Sequence, residues 1–154
     1  MHRLYYHAIW TTRERRSIID AGLAAFLCRF LRAVAREERA HVLEIGMVQT
    51  HVHVLARVHP TMSLPRLLQR WKGGSAVIAG KERRSTEGNE LRWAKGYSLY
   101  TLGARQLRGV REYLRGQPQC HPNERIAGWP GDAPEYEHAG AEQWVGELRV
   151  RLRP

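Results

Sequence analysis

Two short apolar runs, HVLEIGM and HVHVLARV, follow each other in the middle of the chain with only Val48 to Thr50 between them. Both are shorter than a typical helix and rich in β-branched and apolar residues, which favours strands. Because the connector is so short, the two strands are expected to pair as a hairpin. This hairpin is the strongest single constraint on the fold, since the neighbouring helices must pack on the sheet to which it belongs.

Helix patterns flank the hairpin on both sides. Asp20 can cap a first helix, whose apolar residues recur at the spacing of one helix face: Leu23, Phe26, Leu27, Phe30, Leu31 and Val34. After Pro60, Ser63 can cap a second helix with an apolar face formed by Leu64, Leu67, Leu68, Trp71 and Ile78. Gly73 and Gly74 weaken its second half by roughly 1 kcal/mol each relative to alanine.

The ends of this region complete the order of elements. The segment LYYHAIWT, Leu4 to Thr11, predicts a first strand, and WAKGYSLYTLG predicts a fourth. A third helix is expected from about Gln106 to Gln117, where Pro118 would end it. The order βαββαβ plus a helix predicts an α+β fold: a ferredoxin-like or RRM-like antiparallel sheet, two helices on one face, and an additional C-terminal helix carrying Tyr113.

The domain organisation follows from length and composition. With 154 residues the chain is expected to form one main domain, residues 1–125. Gly, Pro and acidic residues become frequent near Trp129, which predicts a C-terminal extension over residues 126–154. The final segment EQWVGELRVRLR fits a strand or a helix equally well.

Charge and cysteine content restrict the class of protein. There are 25 Lys and Arg against 15 Asp and Glu, a net charge of +10, which favours a polyanionic partner: nucleic acid first, an anionic membrane surface second. The two cysteines have no zinc-binding spacing, which argues against a disulfide framework or a structural zinc site. No apolar run has the length of a signal peptide core or a membrane span, so we expect a soluble cytoplasmic protein.

The two histidines of the HVHV run are the first candidates for chemistry. Residues two apart in a strand project from the same face, so His51 and His53 can contact one metal ion or one phosphate together. The valines of the run project from the opposite face, where helices are expected to cover them. Taken alone, an HxH pattern fits a polar strand surface at least as well.

The third predicted helix carries the second group of candidates. Tyr113 and Gln117 are four residues apart and would lie together beside the apolar stripe of Leu107, Val110 and Leu114. A tyrosine bordering such a stripe is usually a half-buried core residue, and the glutamine a solvated one. The helix by itself therefore leaves both interpretations open.

The ordered set of motifs resembles the HUH single-tyrosine transposases of small bacterial insertion sequences and their repeat-associated relatives. The matching stretches are YYHAIWTTRERR, THVHVLARV, LLQRWKGGSAVIA, RWAKGYSLYTLG and VREYLRGQ, which together span about Leu4 to Gln117. An HxH pair is common, whereas this order of motifs is much more specific. Thr50 departs from the family, which usually has a small acidic or amide residue there.

The resemblance implies the roles of four residues. His51, His53 and Gln117 match the ligands of a divalent metal, Mg²⁺ or Mn²⁺, and Tyr113 matches the nucleophile. It also implies cleavage of single-stranded DNA next to a hairpin, through a 5′-phosphotyrosine intermediate that leaves a free 3′ hydroxyl. Family members act as homodimers or as monomers, and the sequence does not distinguish the two.

DNA binding needs further residues, and the chain offers basic and aromatic candidates. The basic ones, which are expected to contact phosphates, are Arg13, Arg15, Arg16, Arg70, Lys72, Lys81, Arg83, Arg84, Arg108 and Arg111. The aromatic ones are expected either to stack on unpaired bases or to pack in the core: Trp71, Trp93, Tyr97 and Tyr100.

A binding module is the alternative to an enzyme. An RRM-like sheet of the same topology, or a decayed transposase, would hold single-stranded nucleic acid without cutting it. RRM sheets present aromatic side chains on their central strands, whereas the central strand here presents histidines. This difference favours the enzyme.

Overall fold

The computed structural model describes residues 4–82 and 90–132. In this part of the chain four strands form one antiparallel sheet, in the order β2-β3-β1-β4. The strands are β1 (Leu4–Thr11), β2 (Ala40–Val48), β3 (His51–Val58) and β4 (Ser98–Leu102). The predicted order of elements and the α+β class are confirmed. The hairpin turn is Gln49–Thr50, and it places β3, which carries the HxH pair, next to β1 in the centre of the sheet.

Within the described residues, five α-helices accompany the sheet: α1 (Ala21–Glu37), α2 (Leu64–Gln69), α3 (Ser75–Lys81), α4 (Leu107–Arg115) and α5 (Gln117–Cys120). A π-helical turn (Arg70–Gly74) joins α2 and α3, so that they form the predicted second helix with a widened middle. Gly73 and Gly74, which weaken a regular helix, lie in that turn. Short 3₁₀ turns occupy Arg13–Arg15, Ala104–Gln106 and Pro122–Glu124.

The main core lies between one face of the sheet and helices α1 to α3. Asp20 caps α1 as predicted, because its Oδ1 accepts a hydrogen bond from the Leu23 amide at 2.8 Å. All the predicted apolar residues of α1 are buried, and they pack against alternate residues of β3, beginning with Val52 and Val54. Trp71 joins the two helical units, since its Nε1 donates to the Leu31 carbonyl at 2.9 Å.

Two predicted boundaries are wrong. The third helix ends at Arg115, and Gln117 begins the separate helix α5 after Gly116. Pro118 does not end a helix but lies in the first turn of α5, where proline's missing N–H costs little. The fourth strand is shorter than WAKGYSLYTLG, because Trp93 contributes only an isolated bridge to Thr12.

The beginning of the predicted C-terminal extension packs on the domain. Ile126 is buried in the main core, and Trp129 packs against that core. Asp132 pairs with Arg32 and accepts from the Ile45 amide of β2 at 3.3 Å. The structure therefore shows no break in packing at residue 125, and the EQWVGELRVRLR segment lies outside the described residues. Within residues 4–82 and 90–132, no helix has the length and apolar character needed to cross a membrane.

Candidate active site

Three histidines meet on the face of the sheet opposite α1. His51 and His53 project from β3, and their ring centroids are 5.1 Å apart. His7 projects from the neighbouring strand β1, and its Nε2 lies 2.9 Å from His53 Nδ1. All three are buried. The sequence gives no signal for His7 at this site, because its position beside His53 depends on the long-range pairing of β1 with β3.

Burial keeps these imidazoles neutral. It lowers the pKa of His7 and of His51, and it lowers the pKa of His53 to about 3, where repulsion between protonated neighbouring histidines would act in the same direction. A neutral imidazole has a free lone pair on one ring nitrogen, which is the form that binds a metal ion. The three histidines are therefore in the protonation state that metal binding requires.

Helix α4 reaches this face by close contact with β2. At Gly46, a Cβ atom would lie 2.5 Å from the Leu114 carbonyl oxygen, so only glycine allows the helix to approach this closely. Glu44 adds a polar anchor: its carboxylate is 3.3 Å from Arg111 Nε and 3.1 Å from Arg115 Nε. These contacts fix where α4 lies over the sheet.

Helix α4 and the turn after it bring the two predicted partners to the histidines. The Tyr113 ring stands edge-on to His53, with centroids 5.8 Å apart, and the side chain is exposed at the surface. Gln117 is fully buried, and its Oε1 lies 3.3 Å from His51 Nε2. The four residues that the sequence indicated therefore converge, although Gln117 comes from α5 and not from the tyrosine helix.

The hydrogen bonds of His51 show that the group fits a bound cation. On one side, the Thr50 hydroxyl donates its proton to Glu124 Oε1 at 2.7 Å and lies 3.0 Å from His51 Nδ1. On the other side, Gln117 presents an amide oxygen to Nε2. Both neighbours of the ring are acceptors, whereas a neutral imidazole has one N–H. If the single N–H is on Nδ1, His51 Nε2 and Gln117 Oε1 face each other as two lone-pair donors. A divalent ion could bind a lone pair from each of these two atoms.

The donor set also narrows the kind of ion. In the described ranges 4–82 and 90–132, no group of three or more His, Cys, Asp or Glu side chains could hold a metal ion. A site here therefore depends on the Gln117 amide as its third donor. Two imidazoles and an amide oxygen leave open positions and add no negative charge, which suits a catalytic ion better than a structural one.

Comparison with known proteins identifies the family. Residues 1–117 match the family model described as "Transposase IS200 like". The chain belongs to the IS200-like transposase family. The ISDra2 transposase TnpA of Deinococcus radiodurans is 25% identical over 121 residues, covering 76% of this chain and 86% of that protein. The transposase for insertion sequence element IS200 of Salmonella typhimurium is 22% identical over 115 residues, covering 73% and 75%.

Solved structures show the same fold. A protein from Deinococcus radiodurans R1, described as a transposase, superposes with a TM-score of 0.59 at 22% identity, covering 82% of this chain and 95% of that one. A REP-associated tyrosine transposase bound to a REP hairpin gives 0.65 at 13% identity, covering 98% and 82%. The resemblance drawn from the motifs is confirmed, and the chain is an HUH-type DNA nicking and joining enzyme.

His121 is a further residue of the transposase beside the candidate site, and its side chain is 40% exposed. Its ring lies edge-on to His51 with centroids 5.1 Å apart, and its Nδ1 is 3.5 Å from Glu124 Oε2. The short helix α5 produces this position, because it turns the chain back toward the HxH pair. His59 is exposed, and His138 lies outside the described residues.

The predicted phosphate contacts fall into groups. Arg13, Arg15 and Arg16 are exposed in the turn after β1, where Glu14 and Arg15 have positive φ angles of 57° and 52°. Arg108 is almost fully exposed. These arginines lie on the surface of the transposase, where phosphates can reach them.

Other basic candidates of the transposase have internal partners. Arg111 is partly engaged by Glu44. Lys72 donates to backbone carbonyls, with its Nζ 2.8 Å from the Ala94 oxygen. Lys81 is exposed at the end of α3, and Arg83 and Arg84 lie outside the described residues.

Arg70 is not available to DNA, so its assignment to DNA binding is wrong. Only 3% of its surface is exposed, and its guanidinium lies 2.6 Å from Glu38 Oε1 and 3.6 Å from Glu37 Oε1. Its place in the π-helical turn points it toward the end of α1. Some basic residues of this helical unit therefore form buried ion pairs while others lie on the surface. The positive charge of a residue does not indicate which of the two it does.

The aromatic candidates divide in the same way. Trp71 is buried and stacks on Trp10 with ring centroids 5.9 Å apart. Trp93 is partly buried and donates from Nε1 to the Ser75 hydroxyl at 2.9 Å. Tyr97 and Tyr100 are exposed, and they remain candidates for base stacking.

Proposed function

We propose that this transposase is a metal-dependent single-stranded DNA endonuclease and strand transferase that cleaves beside a DNA hairpin through a 5′-phosphotyrosine intermediate. One observation carries the proposal. His51, His53, Gln117 and Tyr113 come from three separate elements and meet on one face of the sheet, with Tyr113 beside His53. His51, His53 and Gln117 are buried although they lie outside the apolar core on the other face, which supports a chemical role.

The proposed reaction is a transesterification at phosphorus. The Tyr113 phenolic oxygen attacks the scissile phosphate, the new O–P bond joins the 5′ phosphate to the tyrosine, and the bond to the 3′ oxygen breaks. The phenol loses its proton and the 3′ oxygen gains one, so the cleaved strand ends in a free hydroxyl. Rejoining reverses these steps with another 3′ hydroxyl as attacker, and the energy of the ester is conserved without ATP.

Exposure of Tyr113 suits this role. Its side chain is 47% exposed, so a DNA strand can reach the phenol without any opening of the core. A phenol with a pKa of about 10 is a weak nucleophile at neutral pH and needs a nearby cation or base. The cation site formed by His51, His53 and Gln117 lies close enough to supply it.

His51, His53 and Gln117 are proposed to hold Mg²⁺ or Mn²⁺. The ion, when bound, polarises the scissile phosphate and stabilises the charge that develops on it. The neutral imidazoles and the amide contribute lone pairs and no negative charge, so the ion keeps most of its positive charge for the phosphate. The packing of α4 on Gly46 keeps Tyr113 in place relative to these donors.

A hairpin is the proposed DNA ligand. The solved REP-associated transposase with the same fold was captured on a REP hairpin. In this chain the net charge of +10 favours such a polyanion, and exposed arginines in the turn after β1 and on α4 are available to its phosphates. The duplex stem is expected to lie on these basic residues and the single strand to enter the site.

The structure also supports attack within one chain. Helix α4 is anchored to β2 of its own chain through Glu44, and Tyr113 contacts His53 of its own sheet. A mixture of the Tyr113→Phe and His51→Ala variants is therefore expected to form no covalent adduct, since each protein lacks one half of its own site. Recovery of adduct in the mixture would instead show that tyrosine and histidines act between two chains.

The deciding experiment uses the full chain with end-labelled hairpin DNA that has single-stranded flanks from its own genomic surroundings. With Mn²⁺ present, denaturing gels are expected to show a band that contains both protein and DNA, and chelation should remove it. Tyr113→Phe should abolish the band while hairpin binding persists. Tyr97→Phe is the matched control, because it removes another exposed phenol that lies outside the site.

The other outcomes assign a different function. Tight, salt-sensitive hairpin binding without any adduct would show a binding module or a decayed transposase. An adduct that survives in Tyr113→Phe would remove this tyrosine from the mechanism. Cleavage that persists in both His51→Ala and His53→Ala would refute the proposed metal site.

A further inference from the structure

Thr50 makes contacts that link the candidate metal site to a distant part of the chain. It is 2% exposed and lies directly before His51 in the turn between β2 and β3. Its backbone oxygen accepts from the Thr12 amide at 2.8 Å. Its hydroxyl stands between the His51 ring and the carboxylate of Glu124, a residue more than seventy positions later in the chain.

The directions of the hydrogen bonds that join Glu124, Thr50 and His51 follow from counting their protons. The Thr50 hydroxyl has one proton, and at 2.7 Å it is donated to Glu124 Oε1. The same hydroxyl oxygen can then only accept from His51 Nδ1, which lies 3.0 Å away. His51 must therefore carry its proton on Nδ1, which leaves the lone pair of Nε2 directed at Gln117.

We propose that Thr50 and Glu124 are positioning residues that fix the Nδ1–H tautomer of His51 and thereby prepare Nε2 to bind the metal ion. This inference rests on the proposed function, since it assumes that His51 is a metal ligand. Partners of this kind orient ligand imidazoles in many metal sites, and their loss typically lowers metal affinity about 10–100-fold. Here the partner is a hydroxyl and carboxylate pair acting in series.

The segment that carries Glu124 is itself fixed to the hairpin turn. The Glu124 carbonyl accepts from the Gln49 amide at 2.8 Å, and Gln49 Nε2 donates to the Arg125 carbonyl at 3.1 Å. Glu124 ends the 3₁₀ turn that follows α5, the helix that supplies Gln117. One short segment thus positions two donors at once: Gln117 directly, and His51 through Glu124 and Thr50.

The test reads the tautomer directly in the metal-free protein. Long-range proton–nitrogen NMR on histidine labelled with ¹⁵N, at a pH where His51 is neutral, is expected to show its proton on Nδ1. Thr50→Val removes the acceptor, and Glu124→Ala frees the hydroxyl to donate its proton to Nδ1. Both variants should therefore move the His51 proton to Nε2. Thr50→Ser and Glu124→Gln keep the acceptors and should leave it on Nδ1.

A second readout measures the affinity for the metal ion. Calorimetric titration with Mn²⁺ alone, without DNA, is expected to show affinity about 10–100-fold weaker in Thr50→Val and Glu124→Ala than in the wild type. Thr61→Val is the matched control, because its hydroxyl is bonded to an exposed histidine, with Thr61 Oγ1 2.7 Å from His59 Nδ1. That variant should change neither readout.

The possible failures are distinguishable. If the wild type binds no Mn²⁺, the proposed metal site fails. The NMR result still decides whether Thr50 and Glu124 set the tautomer of His51. If the wild type binds Mn²⁺ and neither variant changes the tautomer or the affinity, the proposed role of Thr50 and Glu124 is wrong while the metal site stands. A fall in adduct formation without either change would mean that the two residues only support the local fold, which also overturns the proposal.

Discussion

The two faces of the sheet differ in what they bury. On the helical face, β3 contributes Val52 and Val54 to a continuous apolar core with α1. On the opposite face the same strand contributes His51 and His53, which are almost as deeply buried but surrounded by polar groups. One strand therefore serves stability through its valines and the proposed chemistry through its histidines.

This difference has a physical basis. Apolar burial is non-directional, so the stability of the helical face depends mainly on the apolar area and volume that it buries. Each buried imidazole instead needs a partner at a defined distance for each ring nitrogen. His7 supplies one for His53, and Thr50 and Gln117 supply two for His51. The histidine face therefore depends on individual atoms, whereas the helical face depends on volume.

The largest expected contrast comes from truncating one residue on each face. Phe26→Ala should lower the free energy of unfolding by about 3–5 kcal/mol, because the side chain is fully buried in the α1 core. The molecules that remain folded should still form the covalent DNA adduct. His53→Ala should cost less stability yet abolish adduct formation, since it removes a metal donor. Chemical denaturation and adduct assays on the two variants check this contrast. Equal losses of stability and of adduct formation in both variants would refute the division of roles between the two faces.

A second contrast concerns the glycine that lets α4 approach the sheet. Gly46→Ala should destabilise the protein by about 1–3 kcal/mol and reduce adduct formation, because the new Cβ would meet the Leu114 carbonyl oxygen at 2.5 Å and displace the tyrosine helix.

Gly109→Ala provides the control on the same helix. Nothing lies within 4 Å of its Cβ position, so alanine there should stabilise by roughly 0.5–1 kcal/mol and preserve activity. Thermal unfolding and adduct yield measure both effects. A stable, active Gly46→Ala variant would show that close packing of α4 is not required.

A smaller effect is expected at His7, which contacts the proposed site only through His53. His7→Ala leaves His53 Nδ1 without the hydrogen-bond partner that now lies 2.9 Å away, so the imidazole loses its fixed orientation. Mn²⁺ affinity should fall about 10–100-fold with the fold intact. His59→Ala, which removes an exposed histidine, should leave calorimetric Mn²⁺ binding unchanged. Unchanged affinity in His7→Ala would mean that His53 needs no such partner.

The helical face was largely predictable from the sequence. Its signals are local: the apolar spacing from Leu23 to Val34, the cap at Asp20, and the alternation in β3 that separates valines from histidines. The HxH pair and Tyr113 were also visible, because a two-residue and a four-residue spacing each place side chains on one side of their element.

The remainder of the histidine face was not predictable, because it depends on contacts between distant parts of the chain. His7 reaches His53 only through the pairing of β1 with β3, and Glu124 reaches Thr50 only through the turn after α5. Gln117 lies beside His51, but it was predicted to lie on the helix that carries Tyr113, and that helix ends before it. Local spacing identifies donors, whereas their partners depend on tertiary packing.

The smallest predicted effect separates surface charge from buried charge. The Arg108 side chain is 92% exposed, and its pair with Glu112 at 3.3 Å is weak enough to exchange for a phosphate. Arg108→Gln should reduce the slope of log affinity against log salt by about 1 and leave thermal stability unchanged.

Arg70→Gln should do the reverse. It removes one of the two arginine partners of Glu38, the one that is only 3% exposed, so stability should fall while the salt dependence of hairpin binding stays the same. Hairpin titrations at several salt concentrations, with thermal unfolding of each variant, make the comparison. A reduced salt slope in Arg70→Gln would mean that this arginine leaves Glu38 to bind DNA, and that the helical side of the sheet contributes to the nucleic-acid interface as well as to the core.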